Sequence, residues 1–240
     1  MKLKINSSIR WQSCPENFPV PRRKEVFIYK IVFSESDDHE KFFPLLSAVE
    51  IEKTRRFIFN KDKVGYSYSI GHTRKILATM LGISPKTITF EKGQHGKPYV
   101  AASQNHLSLQ FNITHTLGCI LIAVTREDEV GVDVENMQRQ LDFQGVAKHY
   151  YHADECEFVT QQQSQPQNEY FFYIWTRKEA FIKAIGYGLR YELKKFSTVE
   201  DNVKDEKFPH WYTRSFYIDN YLAALTTLHQ DSQIIFFALN

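Results

Sequence analysis

The chain has 240 residues, of which 42% are hydrophobic and 24% charged. This composition indicates a globular protein and excludes the disordered and collagen-like classes. The formal net charge is only +2, so the excess of Lys and Arg that is typical of nucleic-acid-binding proteins is absent. Three scattered cysteines exclude a disulfide framework and favour a reducing compartment. Because the longest apolar runs have strand length, we expect a cytoplasmic protein without a membrane span.

Apolar periodicity predicts strands and helices in both halves of the chain. In the first half we expect strands at residues 25–33, 88–91, 107–111 and 119–124, and helices at residues 45–57 and 70–81. In the second half we expect strands at residues 130–135, 196–199, 211–218 and 234–239, and helices at residues 143–158 and 170–185 with a loop at 161–168 between them. Both halves therefore predict an α+β fold.

A fully charged turn at residues 126–129 is the best candidate boundary between the halves. We therefore predict an N-terminal α+β subdomain over residues 1–127 and a C-terminal α+β subdomain over residues 128–240. The tripeptide Thr-Arg-Lys opens a predicted helix in each half, at residues 73–75 and 176–178. This echo would fit a duplicated unit with a site between the halves, although chance explains three residues equally well.

Two carboxylates alternate along the strand predicted at residues 130–135. In the segment GVDVE, Asp133 and Glu135 point to the same face, since strand side chains alternate with a period of two. Their Cβ atoms then lie about 7 Å apart, so one cation fits between their oxygens. Taken alone, GVDVE is more typical of an ordinary half-exposed edge strand.

A third carboxylate lies in the helix predicted at residues 170–185. Within WTRKEAFIKAIGYGL, Trp175, Glu179 and Ile182 fall near one helical face, which indicates that Glu179 points inward. Lys183 lies one turn beyond Glu179, and a simple surface pair explains that spacing. The apolar neighbours of Glu179 nevertheless favour a functional role modestly.

Two possible phosphate donors lie in turns beside predicted strands, Lys97 in HGKP and His115 in FNITHT. Each alone has a structural explanation, and HGKP is not a Walker phosphate loop. Taken together, three carboxylates and several cations describe a site for Mg²⁺ and a phosphate-rich ligand, because Mg²⁺ takes oxygen ligands and bridges phosphate oxygens. The residues by themselves therefore predict phosphoryl or nucleotide chemistry.

The same segments, in the same order, resemble the motifs of the Sfp-type 4'-phosphopantetheinyl transferases. The family pattern GKP, FNxSH, GxDxE and WxxKEAxxKxxGxGL is matched by HGKP at 95–98, FNITH at 111–115, GVDVE at 131–135 and WTRKEAFIKAIGYGL at 175–189. The resemblance covers residues 55–199. It implies a monomeric, pseudo-dimeric fold of two similar α+β subdomains with the active site between them.

The resemblance also implies an activity. Enzymes of this family transfer the phosphopantetheine arm of coenzyme A to a serine of an apo acyl or peptidyl carrier protein and release adenosine 3',5'-bisphosphate. The magnesium ligands would be Asp133, Glu135 and Glu179, with Mg²⁺ bridging to the pyrophosphate. Glu179, directly or through a metal-bound water, is the expected base for the serine proton. Lys183 completes the expected catalytic set.

Several further residues match positions that contact coenzyme A in the family. The expected contacts are Lys53, Arg74, Lys97, Thr114, His115, Lys178 and Lys183. Lys53 is expected at the 3'-phosphate, and Glu155 is expected either to orient Lys183 or to cap a helix. The sequence departs from the family at Thr114, where serine is usual, and at Gly65, where an arginine is common.

The carrier protein is left open, so fatty-acid, polyketide and nonribosomal-peptide pathways all fit. We expect recognition at residues 60–68 and in the loop at 161–168. Two rival functions are a magnesium-dependent phosphohydrolase and a non-catalytic homologue that binds coenzyme A or a carrier. The retained Asp133, Glu135, Glu179 and Lys183 argue against the non-catalytic alternative.

Overall fold

The computed structural model describes residues 3–139, 142–160 and 167–239, which form an α+β fold. The helices are α1 (Ala48–Arg56), α2 (Asn60–Leu81), α3 (Phe143–Tyr150), α4 (Ala153–Thr160) and α5 (Gln167–Ala184). The strands are β1 (Ile5–Asn6), β2 (Trp11–Ser13), β3 (Glu25–Val32), β4 (Phe90–Lys92), β5 (Pro98–Val100), β6 (Leu109–Thr116), β7 (Cys119–Arg126), β8 (Val130–Asn136), β9 (Tyr212–Ile218), β10 (Tyr221–Thr227) and β11 (Gln233–Leu239). The predicted α+β class is confirmed. Among these helices, none is long and apolar enough to cross a bilayer.

Contacts divide the described chain into two compact units that are not continuous in sequence. The N-terminal unit comprises the described residues of Arg10–Lys92, Pro98–Asp128 and Gln233–Asn240. The C-terminal unit comprises the described residues of Met1–Ile9, Gly93–Lys97 and Glu129–Ser232. The units therefore differ from the continuous subdomains predicted at 1–127 and 128–240. The physical reason is strand pairing, because β1 pairs with β9 and β11 pairs with β3.

The sheet of the N-terminal unit has the strand order β2-β11-β3-β7-β6. Strands β3, β7 and β6 are antiparallel neighbours, whereas β11 lies parallel to β3. Helix α2 lies against β6 and β7 and buries Val64, Ile76 and Leu77 in the core. The helix ends at Gly82, whose φ of 68° gives the left-handed conformation that a helix C-terminus favours.

The sheet of the C-terminal unit has the strand order β1-β9-β10-β8. Strand β10 pairs antiparallel with both β8 and β9, and helix α5 lies against β8 and β10. Phe171, Phe172 and Ile174 from α5 are buried with Leu222 of β10. Strand β8 is an edge strand, as GVDVE alone suggested, but α5 covers its face and creates a half-enclosed position for polar side chains.

Four element predictions differ from the structure. Helix α2 begins at Asn60 and not at residue 70, so the polar residues before the expected helix are themselves helical. The side-chain amide of Asn60 donates to the carbonyl of Glu35. The helix expected at 143–158 breaks into α3 and α4. The strand expected at 196–199 is only a bridge between Ser197 and Lys204, and β10 was not expected. In the expected loop at 161–168, residues 161–166 lie outside the described residues and α5 begins at Gln167.

The Thr and Arg residues of the repeated tripeptide Thr-Arg-Lys make matching contacts in the two units. The hydroxyls of Thr73 and Thr176 each donate to the carbonyl four residues earlier. Arg74 and Arg177 are both buried and both donate to backbone carbonyls outside their own helix. Equivalent buried roles in the two halves support a repeat more strongly than the three letters do.

Candidate active site

The edge strand β8 carries the first two candidate ligands of the C-terminal unit. Asp133 is 4% exposed and Glu135 is half-buried. Gly131 brings this strand against α5, because a Cβ atom there would overlap the carbonyl oxygen of Ala180 and the backbone nitrogen of Ala184. The glycine of GVDVE therefore permits the close approach that places the strand carboxylates beside the helix.

Helix α5 supplies the groups that face these carboxylates. The ammonium of Lys183 donates to Asp133 Oδ1 at 2.6 Å. The indole Nε1 of Trp175 donates to Glu135 Oε1 at 3.2 Å. Glu179 lies between Trp175 and Lys183 along the helix, one turn from each, so the structure brings all four predicted catalytic residues together with Trp175.

The carboxylates interact electrostatically. Burial and, to a lesser extent, the charge of Asp133 raise the pKa of Glu179 to about 7, with a smaller contribution from Glu135. Burial and Asp133 also raise the pKa of Glu135. Lys183 opposes both effects. Because the charge of Asp133 raises the pKa of both glutamates, the site concentrates negative charge that a divalent cation would relieve.

The donor set fits Mg²⁺ in its chemistry. Carboxylate oxygens are the ligands that Mg²⁺ prefers. The three carboxylates face the Lys183 ammonium and the Arg139 guanidinium, which lies 3.7 Å from Glu135 Oε2. Among the described residues, no three His, Cys, Asp or Glu side chains stand in a preformed metal-binding arrangement. The Lys183 ammonium lies 2.6 Å from Asp133 Oδ1, so it already engages one oxygen of this carboxylate.

A second candidate site lies in the N-terminal unit near the turn between β6 and β7. A cavity of about 260 Å³ is lined by Lys61, Asp62 and the exposed His115. A Cβ atom at Gly65 would lie 3.5 Å from the His115 ring. The missing side chain at Gly65 therefore leaves space beside the imidazole, and Lys61 supplies a positive charge from the first turn of α2.

Lys53 and Thr114 are two further predicted coenzyme A contacts that belong to the N-terminal unit. Lys53 is exposed, and its ammonium lies 4.4 Å from the ring centroid of Tyr66, the residue after Gly65. Thr114 is buried in β6 and directly precedes His115. The exposed lysine is accessible to an anionic ligand, whereas the threonine side chain is enclosed.

Three predicted coenzyme A contacts are instead buried and engaged within their own units. Arg74 donates to both carboxylate oxygens of Glu50 and to two backbone carbonyls. Lys97 pairs with Glu129 at 2.5 Å and is 7% exposed. Lys178 is fully buried against Glu155 at 2.5 Å. The charges of these three side chains are enclosed with carboxylates, and their contacts with coenzyme A stay predictions.

Glu155 also differs from the prediction that it orients Lys183. One of its oxygens accepts from the Lys178 ammonium and from the backbone nitrogen of His152 at the start of α4. The other accepts from the backbone nitrogen and hydroxyl of Thr198. The alternative, a helix cap, is confirmed.

Sequence reasoning assigned no site role to Trp175 or Glu129, and it placed Lys61 only within the expected recognition segment at residues 60–68. Trp175 lies one turn before Glu179, and this helical spacing was the available signal for its position beside the carboxylates. Lys61 belongs to a basic cluster that did not indicate which lysine lies next to His115. Glu129 gave no signal, because its partner Lys97 lies 32 residues away.

Comparison with known proteins gives matches along most of the chain. A model of the 4'-phosphopantetheinyl transferase superfamily matches residues 129–232, and a model of the N-terminal part of 4'-phosphopantetheinyl transferases matches residues 34–127. A 4'-phosphopantetheinyl transferase of Bacillus subtilis is 31% identical over 67% of this chain and 69% of its own.

Two other relatives match a larger share of the chain. The 4'-phosphopantetheinyl transferase HetI of Nostoc sp. is 26% identical over 84% of this chain and 86% of its own. The 4'-phosphopantetheinyl transferase Sfp of Bacillus subtilis strain 168 is 25% identical over 81% of this chain and 88% of its own. The similarity therefore extends over both halves.

Proposed function

Because the chain belongs to the 4'-phosphopantetheinyl transferase family, we propose that it transfers the phosphopantetheine arm of coenzyme A to a serine of an apo carrier protein. Its enzyme class is 4'-phosphopantetheinyl transferase, with carrier proteins as acceptors. The observation that carries the proposal is the cluster of Asp133, Glu135, Glu179 and Lys183 where β8 meets α5. The second product is adenosine 3',5'-bisphosphate.

The carboxylate cluster is the proposed magnesium site. Asp133, Glu135 and Glu179 would hold the ion, and Trp175 supports this role because its indole fixes one Glu135 oxygen. When bound, Mg²⁺ would neutralise negative charge on the pyrophosphate of coenzyme A. Lys183 would remain beside the site as a second positive charge.

Glu179 is the proposed base for the acceptor serine. As the serine oxygen forms its bond to phosphorus, the bond from phosphorus to the adenosine bisphosphate leaving group breaks, and the serine proton passes to Glu179. The electrostatic interaction of Glu179 with Asp133 and Glu135 supports this role, because it places the base at the proposed magnesium site. Lys183 would stabilise charge on the departing phosphate.

In the N-terminal unit we assign anion binding to His115, Lys53 and Lys61. His115 and Lys61 line one cavity, and the exposed Lys53 lies over the ring of Tyr66 in α2. Cations and imidazole donors of this kind bind phosphate groups. The 3'-phosphate of coenzyme A is the proposed partner, with Gly65 providing space.

The experiment is an intact-mass measurement on apo carriers. Purified protein, coenzyme A and Mg²⁺ are incubated with fatty-acid, polyketide and peptide carrier proteins, and with Ser→Ala variants of each acceptor site as controls. We expect a mass increase of one phosphopantetheine arm on at least one wild-type carrier and on none of the controls. Phosphate release without carrier labelling would indicate the phosphohydrolase instead, and no mass change on any carrier would refute the proposal.

A further inference from the structure

Lys97, the lysine of HGKP, uses all three of its ammonium protons within the C-terminal unit. It donates to Glu129 Oε2 at 2.5 Å, to the carbonyl oxygen of Val130 at 3.0 Å and to that of Ala184 at 3.0 Å. The side chain is 4% exposed. An ammonium group with three acceptors and almost no exposed surface has no donor left for a ligand.

The acceptors of Lys97 mark the place where the two catalytic elements meet. Val130 is the first residue of β8, three positions before Asp133. Ala184 is the last residue of α5 and directly follows Lys183. One ammonium group therefore connects the start of the catalytic strand to the end of the catalytic helix.

The packing at this point is unusually close. Gly131, which follows Val130, approaches the backbone at Ala180 and Ala184 so closely that no Cβ atom fits. The carbonyl groups at a helix C-terminus carry partial negative charge, which a buried ammonium stabilises. Close backbone packing and a charged bond at the same point fix how far α5 can slide along β8.

We propose that Lys97 is a positioning residue that holds α5 in register against β8, so that Glu179 faces Asp133 and Glu135, and that it does not contact the phosphates of coenzyme A. This inference rests on the proposed function for the role of the three carboxylates. Glu129 supports the positioning role, because its carboxylate fixes the ammonium from the strand side. A shift of about 1 Å between catalytic groups costs on the order of 100-fold in rate.

The test is a Lys97→Met variant, which keeps most of the side-chain length and removes the charge. Lys92→Met, at an exposed lysine five residues earlier, is the matched control. Three quantities are measured below the unfolding temperature of each variant: the Kd for coenzyme A by calorimetry without carrier, the Mg²⁺ concentration that gives half-maximal rate, and kcat for carrier labelling.

For Lys97→Met we expect kcat to fall at least about tenfold and the required Mg²⁺ concentration to rise, while the Kd for coenzyme A stays within about twofold of wild type. Lys92→Met is expected to match wild type in all three measurements. A tenfold rise in the Kd for coenzyme A with normal kcat would show a phosphate contact and overturn the inference. Normal values of all three with only a lower unfolding temperature would show a purely structural role and also overturn it.

A second variant covers the case in which Lys97→Met does not fold. Glu129→Gln keeps the ammonium and its two carbonyl acceptors but removes the charged partner. Positioning predicts a lower kcat with an unchanged Kd for coenzyme A, whereas wild-type kcat would contradict it. Carrier labelling by the wild-type enzyme in the same assay tests the proposed function separately, so the failure of one claim is distinguishable from the failure of the other.

Discussion

At the scale of single residues, Trp175 shows how an apolar side chain can serve a charged site. Its ring stacks on Phe171 and meets the edge of Tyr150, while its Nε1 donates to Glu135. The surrounding rings fix the indole, and the indole fixes one carboxylate oxygen. Because this hydrogen bond already restricts the Glu135 side chain, less conformational entropy is lost when a metal ion binds.

A Trp175→Phe variant tests this contact. Phenylalanine keeps an aromatic ring in the stack and removes the N–H donor, so we expect Mg²⁺ to bind about ten- to a hundredfold more weakly, because a metal ligand loses one hydrogen bond to its charged group. Calorimetric titration of Mg²⁺ into the protein measures this change. Trp11→Phe, in the other unit, is the control, and equal Mg²⁺ affinities in the two variants would contradict the assigned contact.

His72 gives a prediction about pH. Burial lowers its pKa to about 4, with Lys75 and Lys41 adding to the effect, and no described residue accepts or donates at its Nδ1. The unfolded chain takes up a proton near pH 6.5 whereas the folded protein does not until about pH 4. Stability should therefore fall as the pH drops through this window, by at most about 3 kcal/mol from this residue.

The measurement is denaturant unfolding at pH 4.5 and pH 7 for wild type and His72→Gln. The variant should lose less stability on acidification than wild type, because it lacks the proton-binding group in the unfolded state. His106→Gln, at an exposed histidine, is the control and should behave as wild type. An unchanged pH dependence in His72→Gln would contradict the assignment.

At the scale of elements, the contact between β8 and α5 depends on Gly131. We expect Gly131→Ala to destabilise the protein by about 2–4 kcal/mol, because the new methyl group overlaps the helix backbone and forces the elements apart. Gly65→Ala is the matched control. Its Cβ meets only ordinary contacts, and alanine is favoured in a helix by up to about 1 kcal/mol.

Unfolding free energies from denaturant titration give the comparison. Gly131→Ala should also reduce carrier labelling by the protein that is still folded, since Asp133 moves with the strand. Wild-type stability and labelling in Gly131→Ala would show that the close approach is not required.

The same scale shows what the sequence could and could not predict. The strand alternation of GVDVE and the helical spacing around Glu179 correctly predicted the elements that carry the carboxylates. The ion pairs of Arg74, Lys97 and Lys178 with carboxylates could not be predicted, because a sequence motif gives the positions of residues and not their contacts. Their acidic partners lie 24, 32 and 23 residues away in the chain, so only the folded structure reveals them.

At the scale of the whole molecule, each half builds a sheet with one long helix lying against it. The α+β class followed from periodicity, but the composition of the two units did not. The last strand joins the sheet of the N-terminal unit through its pairing with β3, and residues 3–9 reach the opposite unit through β1. Pairing between distant segments leaves no periodic signal in the sequence.

The monomeric state and the site between the halves, both implied by the resemblance, stay predictions at this scale. Carrier choice is also a prediction at this scale, and residues 161–166 of the expected recognition loop at 161–168 lie outside the described residues. Comparing labelling rates among fatty-acid, polyketide and peptide carriers would identify the pathway, and the highest kcat/KM would name the preferred carrier class.

The most direct test of the account is carrier labelling by Asp133→Ala and Glu179→Ala, followed by intact-mass spectrometry with saturating coenzyme A and Mg²⁺. Both variants should keep the wild-type circular dichroism spectrum, because each removes a polar group from a partly enclosed site that carries unfavourable charge. The account predicts that neither variant adds a phosphopantetheine arm to a carrier that wild type labels. A near-normal labelling rate in either variant would contradict the assignment of that carboxylate to the metal and to catalysis.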